Sequence, residues 1–155
     1  MRFVLVDRFL DVEPGRRATA VKTFDPRDPV FADHFPGVPI VPGVLLTEAI
    51  GQTGGWLLVA SSPAGTWPLL SMIEGAKFRR FVRPGEDVTL VAEIRETRDD
   101  LVRVTGHASV RGERVADARL VFRVAPLPTD DDGVSLSRWA KDRAEEMGLG
   151  GAVRA

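Results

Sequence analysis

A chain of 155 residues, 44% hydrophobic and 28% charged, can fill one core but is too short for two ordinary domains. Its net charge of -1, with both signs spread along the sequence, gives no global reason for a nucleic-acid or membrane partner. The absence of cysteine excludes disulfides, thiolate metal sites and a cysteine nucleophile, and makes the cytoplasm the expected compartment. The opening MRFVLVDRFL lacks a basic segment followed by a long apolar run, so it is expected to join the fold rather than act as a signal peptide.

In chain order, Phe3 to Phe24 reads as two extended segments reversing at Glu13-Pro14-Gly15-Arg16, a plausible hairpin. From Asp25 to Pro42, five prolines and a glycine argue for an irregular, constrained loop that carries Asp33-His34-Phe35-Pro36-Gly37. Pro42 suits the first turn of a helix, and Val44 to about Ala60 continues without another proline. Leu45, Leu46, Ala49, Ile50, Trp56, Leu57, Leu58 and Val59 go nearly all the way round that helix, so other structure must enclose it. Trp67 to Lys77 is one more extended segment before Arg83-Pro84-Gly85 turns the chain. Three period-two runs follow, centred on Val88 to Ile94, Val102 to Val110 and Ala116 to Val124, with reversals at Asp99-Asp100 and Gly112-Glu113.

An antiparallel sheet with one apolar face and a helix apolar on most sides satisfy each other when the sheet curls around the helix. The expected class is therefore α+β, with the curved sheet wrapped around one long central helix in the hot-dog arrangement. A sheet of this size leaves part of the helix bare, which predicts a homodimer at least. The domain is expected over 1–125, and 126–155 reads as a linker and a short helix in which Leu136, Trp139, Ala140, Arg143 and Met147 recur at helical spacing. That tail reads as a lid or docking element, or as a packing appendage that seats one tryptophan on the domain. The second reading is preferred, and no chemistry is assigned to it.

Between Phe35 and Ile73 the only ionisable side chain is Glu48, in the middle of the enclosed helix. Burial disfavours the ionised carboxylate, which makes Glu48 a candidate general acid; for a helix glutamate taken alone, a gap in the sheet or a satisfied interface hydrogen bond is the preferred reading. Gln52, one turn on, shares its face and can orient the carboxyl or meet a ligand. His34, in the loop just before the helix, has an unperturbed pKa of ~6.5 that suits a proton carrier at neutral pH. His107 falls on the wet phase of its strand and reads as a surface residue. At the helix start the N–H groups of Gly43 and Val44 lack helical partners and can polarise a thioester carbonyl.

These residues, as His34-Phe35-Pro36-Gly37, Pro39, Pro42-Gly43-Val44-Leu45, Glu48-Ala49 and Gln52, closely resemble the signature of FabZ-type 3-hydroxyacyl-(acyl-carrier-protein) dehydratases. Leu5-Val6-Asp7-Arg8 and Lys77-Phe78-Arg79-Arg80-Phe81-Val82-Arg83-Pro84-Gly85-Glu86 extend the resemblance over roughly residues 3 to 125. It implies a hot-dog dimer, or a dimer-based higher oligomer, whose active site forms between subunits, the histidine of one facing the acid of the other. It implies that His34 takes or relays the α-proton while Glu48 helps the 3-hydroxyl leave. The FabA type carries aspartate at the acidic position and can also isomerise, so Glu48 favours simple dehydration. The substrate would arrive on the phosphopantetheine arm of an acidic acyl carrier protein, for which Lys77, Arg79, Arg80 and Arg83 offer a basic landing surface; no metal or organic cofactor is implied. Two departures stand out: Asp33 replaces the glycine usual before the histidine, and the tail after residue 125 is absent from short members. An acyl-thioester hydrolase, an enoyl-CoA hydratase and a non-catalytic acyl-carrier-binding module remain the competing readings.

Overall fold

The computed structural model describes residues 3–63, 65–126 and 136–152. Its elements are β1 (Arg8–Glu13), β2 (Arg17–Thr23), α1 (Val30–Asp33), α2 (Gly43–Ser61), β3 (Thr66–Phe78), β4 (Asp87–Arg98), β5 (Leu101–Val110), β6 (Glu113–Pro126) and α3 (Leu136–Glu146). The predicted linker after Pro126 falls on 127–135, outside the described residues.

The six strands form one antiparallel sheet in the order β1-β2-β4-β5-β6-β3. Three of its turns are set by local chemistry. Gly15 between β1 and β2 has φ +79, Asp99 between β4 and β5 has φ +54, and Arg111-Gly112 between β5 and β6 have φ +52 and +81, the left-handed pair of a two-residue hairpin. Period-two alternation then decides which residues face inward. Val102, Val104, Gly106, Ala108 and Val110 are all buried on β5, and Ala116, Ala118, Leu120 and Phe122 on β6.

The buried faces close on α2, whose Leu46, Ala49, Ile50, Leu57 and Leu58 are at most 2% exposed. Each of the four leucine and isoleucine side chains among them contributes about 1.5–3 kcal/mol on leaving water. Two glycines set how closely helix and sheet meet. A Cβ on Gly54 would lie 3.0 Å from Val104 Cγ1, and one on Gly106 would strike the Ile50 side chain and the Val91 carbonyl oxygen, the latter at 2.6 Å. The buried hydroxyls of Thr47 and Thr53 donate to the carbonyls of Gly43 and Ala49 one turn back, at 3.2 and 2.8 Å, so neither is unsatisfied. The expected long helix is thus present as α2, one residue earlier than its predicted start, with Pro42 as the N-cap.

In three places the structure differs from expectation. The proline-rich loop is not wholly irregular: Val30–Asp33 contains no proline and makes one helical turn, anchored by the buried Phe31. His107 is half-buried rather than a free surface residue, and burial foremost, with Arg114 nearby, pushes its imidazole pKa down. The third difference concerns α3, whose Ala140 and Ala144, with Met147 and Leu149 just beyond the helix, are at most 4% exposed and belong to the same hydrophobic core as the sheet. The Phe9 N–H also donates to the Met147 carbonyl at 2.9 Å, fastening the end of this segment to β1.

One side of the helix stays bare. Strand β3 is a sheet edge paired only with β6, and its Leu69, Leu70, Met72, Ile73 and Phe78 are 41–57% exposed beside the exposed Val44 of α2. No helix among the described residues is long and apolar enough to cross a membrane.

Candidate active site

His34 ends α1, and its position is fixed from several directions. Its backbone N–H donates to the Val30 carbonyl at 3.0 Å, its carbonyl accepts the Ile40 N–H at 3.1 Å, and its ring Nδ1–H donates to the Ile40 carbonyl at 3.0 Å. A carbonyl can only accept, so Nδ1 carries the proton and Nε2 is left with a lone pair in the neutral ring. The Phe35 ring stacks on the imidazole at 4.3 Å, across a cis peptide bond. Phe35 and Val38 exchange backbone hydrogen bonds around Gly37, which has φ +77, and the Val41 N–H ties the loop's end to the Val82 carbonyl at 2.7 Å. Asp33 is exposed, and its carboxylate makes no hydrogen bond to the imidazole.

Glu48 sits on the bare side of α2 and is half-buried, not enclosed by the sheet. Gln52 Nε2–H donates to Glu48 Oε1 at 3.0 Å, while Gln52 Oε1 accepts the N–H of the buried Leu5 at 2.8 Å. A further donation from Gln52 Nε2 reaches the Phe3 carbonyl at 3.4 Å. One amide side chain therefore holds one oxygen of the carboxyl and anchors it to the N-terminal segment. Glu48 Oε2 is left without a protein partner among the described residues.

Two cavities run along this face and share Phe3, Glu48 and Leu70. One, of about 470 Å³, extends towards the helix start along Val44, Leu45, Ile73 and Phe78. The other, of about 270 Å³, extends the opposite way along Gly51, Gly55 and Trp56 to Trp67 and, from α3, Trp139 and Arg143. At the helix start the N–H groups of Gly43 and Val44 have no acceptor among the described residues, because Pro42 accepts only from Leu45 and Leu46. The Phe78 ring lies so close that a Cβ on Gly43 would be 2.9 Å from it.

Glu48, Gln52, Gly43 and Val44 are thus brought together, on one face of one helix. His34 is not joined to them within a single chain: none of the described cavities is lined by both His34 and Glu48. Of the basic residues, Arg79 is paired with Asp117 at 2.7 Å and Arg80 with Glu113 at 3.2 Å, whereas Lys77 and Arg83 are exposed and outside the described ion pairs. Sequence reasoning missed Phe3, Trp67, Trp139 and Arg143 as cavity walls. Only the helical spacing of the tail hinted at the last two.

Comparison with known proteins agrees with this geometry. The FabA-like domain family matches residues 1–119. The 3-hydroxyacyl-(acyl-carrier-protein) dehydratase FabZ of Symbiobacterium thermophilum is 44% identical over 131 residues, covering 83% of this chain and 92% of that protein. The FabZ of Geobacillus thermodenitrificans is 36% identical over 129 residues, covering 83% and 89%. Among solved structures, a thioesterase superfamily member of Thermus thermophilus shares the fold at TM-score 0.64 and 20% identity, covering 88% of this chain and 98% of its own. The dehydratase heterocomplex ApeI:P of Xenorhabdus doucetiae gives TM-score 0.57 at 21% identity, covering 74% and 96%. With five of the six strands, the helix-borne carboxyl and the histidine loop all inside the matched residues, the chain belongs to the FabA-like family and is a homologue of its FabZ dehydratases.

Proposed function

We propose that this protein dehydrates a 3-hydroxyacyl thioester carried on acyl carrier protein to the 2-enoyl thioester, in fatty acid or related lipid biosynthesis. Relatives named for that reaction, at 36–44% identity over most of both chains, support it. The structural observation that carries it is the Gln52-held carboxyl of Glu48, lying between an apolar groove and the unpaired N–H groups at the start of α2.

In this reading the thioester carbonyl lies at the Gly43 and Val44 N–H groups, where the helix dipole stabilises the charge that develops on its oxygen. His34 Nε2 takes the proton from C2. The electron pair of that C–H bond becomes the C2–C3 double bond as the C3–O bond breaks, and protonated Glu48 gives its proton from Oε2 to the departing hydroxyl, which leaves as water. His34 ends protonated and Glu48 ionised, and one proton transfer between them restores both. The elimination balances with these protein groups alone.

A second copy completes the site. Strand β3 leaves its outer backbone groups unpaired and its large apolar side chains exposed, and an edge of this kind is a template for pairing with another strand. Two copies joined there would cover the groove along α2 and bring one protomer's His34 towards its partner's carboxyl. Lys77, Arg79, Arg80 and Arg83 would meet the acidic carrier, Lys77 and Arg83 from outside the described ion pairs and Arg79 and Arg80 from solvent-accessible pairs with Asp117 and Glu113.

The test is conversion of a 3-hydroxybutanoyl thioester on acyl carrier protein, followed by mass of the acyl group. Water loss is expected, with kcat falling by about a hundred-fold or more in His34→Ala and Glu48→Gln. Release of free thiol instead would make the protein a hydrolase, and binding without turnover would make it an acyl-carrier-binding module.

A further inference from the structure

The helix α3 lies beyond the family match, which ends at residue 119, yet it forms part of the cavity that leads away from Glu48. It is held there by its own packing: Ala140 and Ala144 are at most 4% exposed, and the Phe9 N–H of β1 donates to the Met147 carbonyl just past the helix at 2.9 Å. This packing delivers two residues to the cavity, Trp139 and Arg143. Its ring centroid lies 6.1 Å from Trp56 of α2 and 6.2 Å from Trp67 of β3, and those two are 5.9 Å apart. Three indoles from three elements thus meet at one end of the groove. Trp139 itself is 45% exposed, so it is the outermost of the three, and its removal opens that end to solvent without emptying the core.

The groove between Glu48 and this cluster is built for an apolar chain. Gly51 and Gly55 leave the helix surface low there: a Cβ on Gly55 would meet only Phe122, at 3.9 Å. From Glu48 to Trp56 is eight residues, about 12 Å along the axis at ~1.5 Å per residue. An extended chain advances about 1.2 Å per bond, so an acyl chain with C3 at Glu48 meets the indoles after about ten bonds, at about 12 to 14 carbons.

Resting on the dehydratase reading above, we propose that α3, through Trp139, is the end wall of the acyl cavity and sets an upper limit on chain length. The specificity-determining residue is therefore supplied by the segment that the family match does not include. Short chains never reach it. Long ones must displace it or leave their ends in water.

Turnover of 3-hydroxybutanoyl, 3-hydroxydecanoyl and 3-hydroxyoctadecanoyl carrier protein by the full chain and by Trp139→Ala tests this. The full chain is expected to lose about ten-fold or more in kcat/KM between the ten- and eighteen-carbon substrates, and Trp139→Ala to recover most of that loss, read as the ratio of the two substrates within each protein. Equal profiles for both proteins, or a parallel fall at every length, would overturn the proposal. A measurement without chemistry separates it from the reaction assignment: the indole N–H resonance of Trp139, identified by its loss in Trp139→Phe, should shift with saturated tetradecanoyl-pantetheine and not with butanoyl-pantetheine. That length-dependent shift in a protein that dehydrates nothing would keep the end wall and remove the dehydratase; turnover with no shift at either length would do the reverse.

Discussion

Replacing Gln52 by alanine tests the link between the carboxyl and the fold. The change removes the donor at 3.0 Å from Glu48 Oε1 and the acceptor at 2.8 Å from the Leu5 N–H. A hydrogen bond of this kind contributes about 0.5–1.5 kcal/mol, and a buried N–H left unpaired costs about 1–3 kcal/mol. Leu5 is 1% exposed, so that N–H is hidden from bulk water, but Gln52 is half-buried and water refills part of its space. The expected loss of unfolding free energy is therefore about 2–3 kcal/mol, read from urea denaturation at constant slope. The freed carboxyl should also lower kcat/KM by about ten- to a hundred-fold, since small misplacements of a reacting group have effects of that size. Gln52→Glu separates the two roles. It keeps an acceptor for Leu5 but puts a second carboxyl beside Glu48, so stability is largely retained while the pH profile of kcat/KM moves upward as the pair shares a proton. If Gln52→Ala keeps its urea midpoint and its kcat/KM within two-fold, by the same reasoning, Gln52 does not position Glu48.

Gly106→Ala puts a methyl group into Ile50 and 2.6 Å from the Val91 carbonyl oxygen, so a loss of about 1–3 kcal/mol in urea unfolding is expected; an unchanged midpoint would refute this helix–sheet contact. The folded-state pKa of His107 is lowered by burial, so the folded chain resists its protonation. The stability at stake is present in full above the unfolded value of about 6.5 and is lost as pH falls through the lower folded value. His107→Gln should therefore lose less stability than the parent between neutral and mildly acidic pH, and identical pH dependence of the urea midpoints would remove this role. Ile73→Asp places a charge on the exposed edge strand and should give a monomer by light scattering, inactive because none of the described cavities of one copy holds both His34 and Glu48. A fully active monomer would sink the two-chain site.

Much of the site could be read in the chain because its chemistry is local. Glu48 and Gln52 are one turn apart on a helix, and the Pro42-Gly43 start exposes amides whatever packs around it. The proline-rich loop restricts His34 before any tertiary contact forms. Glu48 being half-buried rather than enclosed was not legible, because the sheet's coverage of α2 depends on where β3 ends up, and a 13-residue strand has the same alternation at an edge as inside a sheet. The pairing of Arg79 and Arg80 was equally hidden, since their partners Asp117 and Glu113 come from β6.

Periodicity, turn chemistry and helical spacing are properties of neighbours along the chain, and they already specify the strands, the long helix and the placing of Glu48 one turn from Gln52. Only the way distant elements pack makes β3 the bare edge, keeps His34 and Glu48 out of any one of the described cavities, and sets an appended tryptophan against two others at the end of the groove. Those outcomes depend on which distant surfaces meet when apolar area leaves water, and that force has a magnitude per unit area but no address in the sequence.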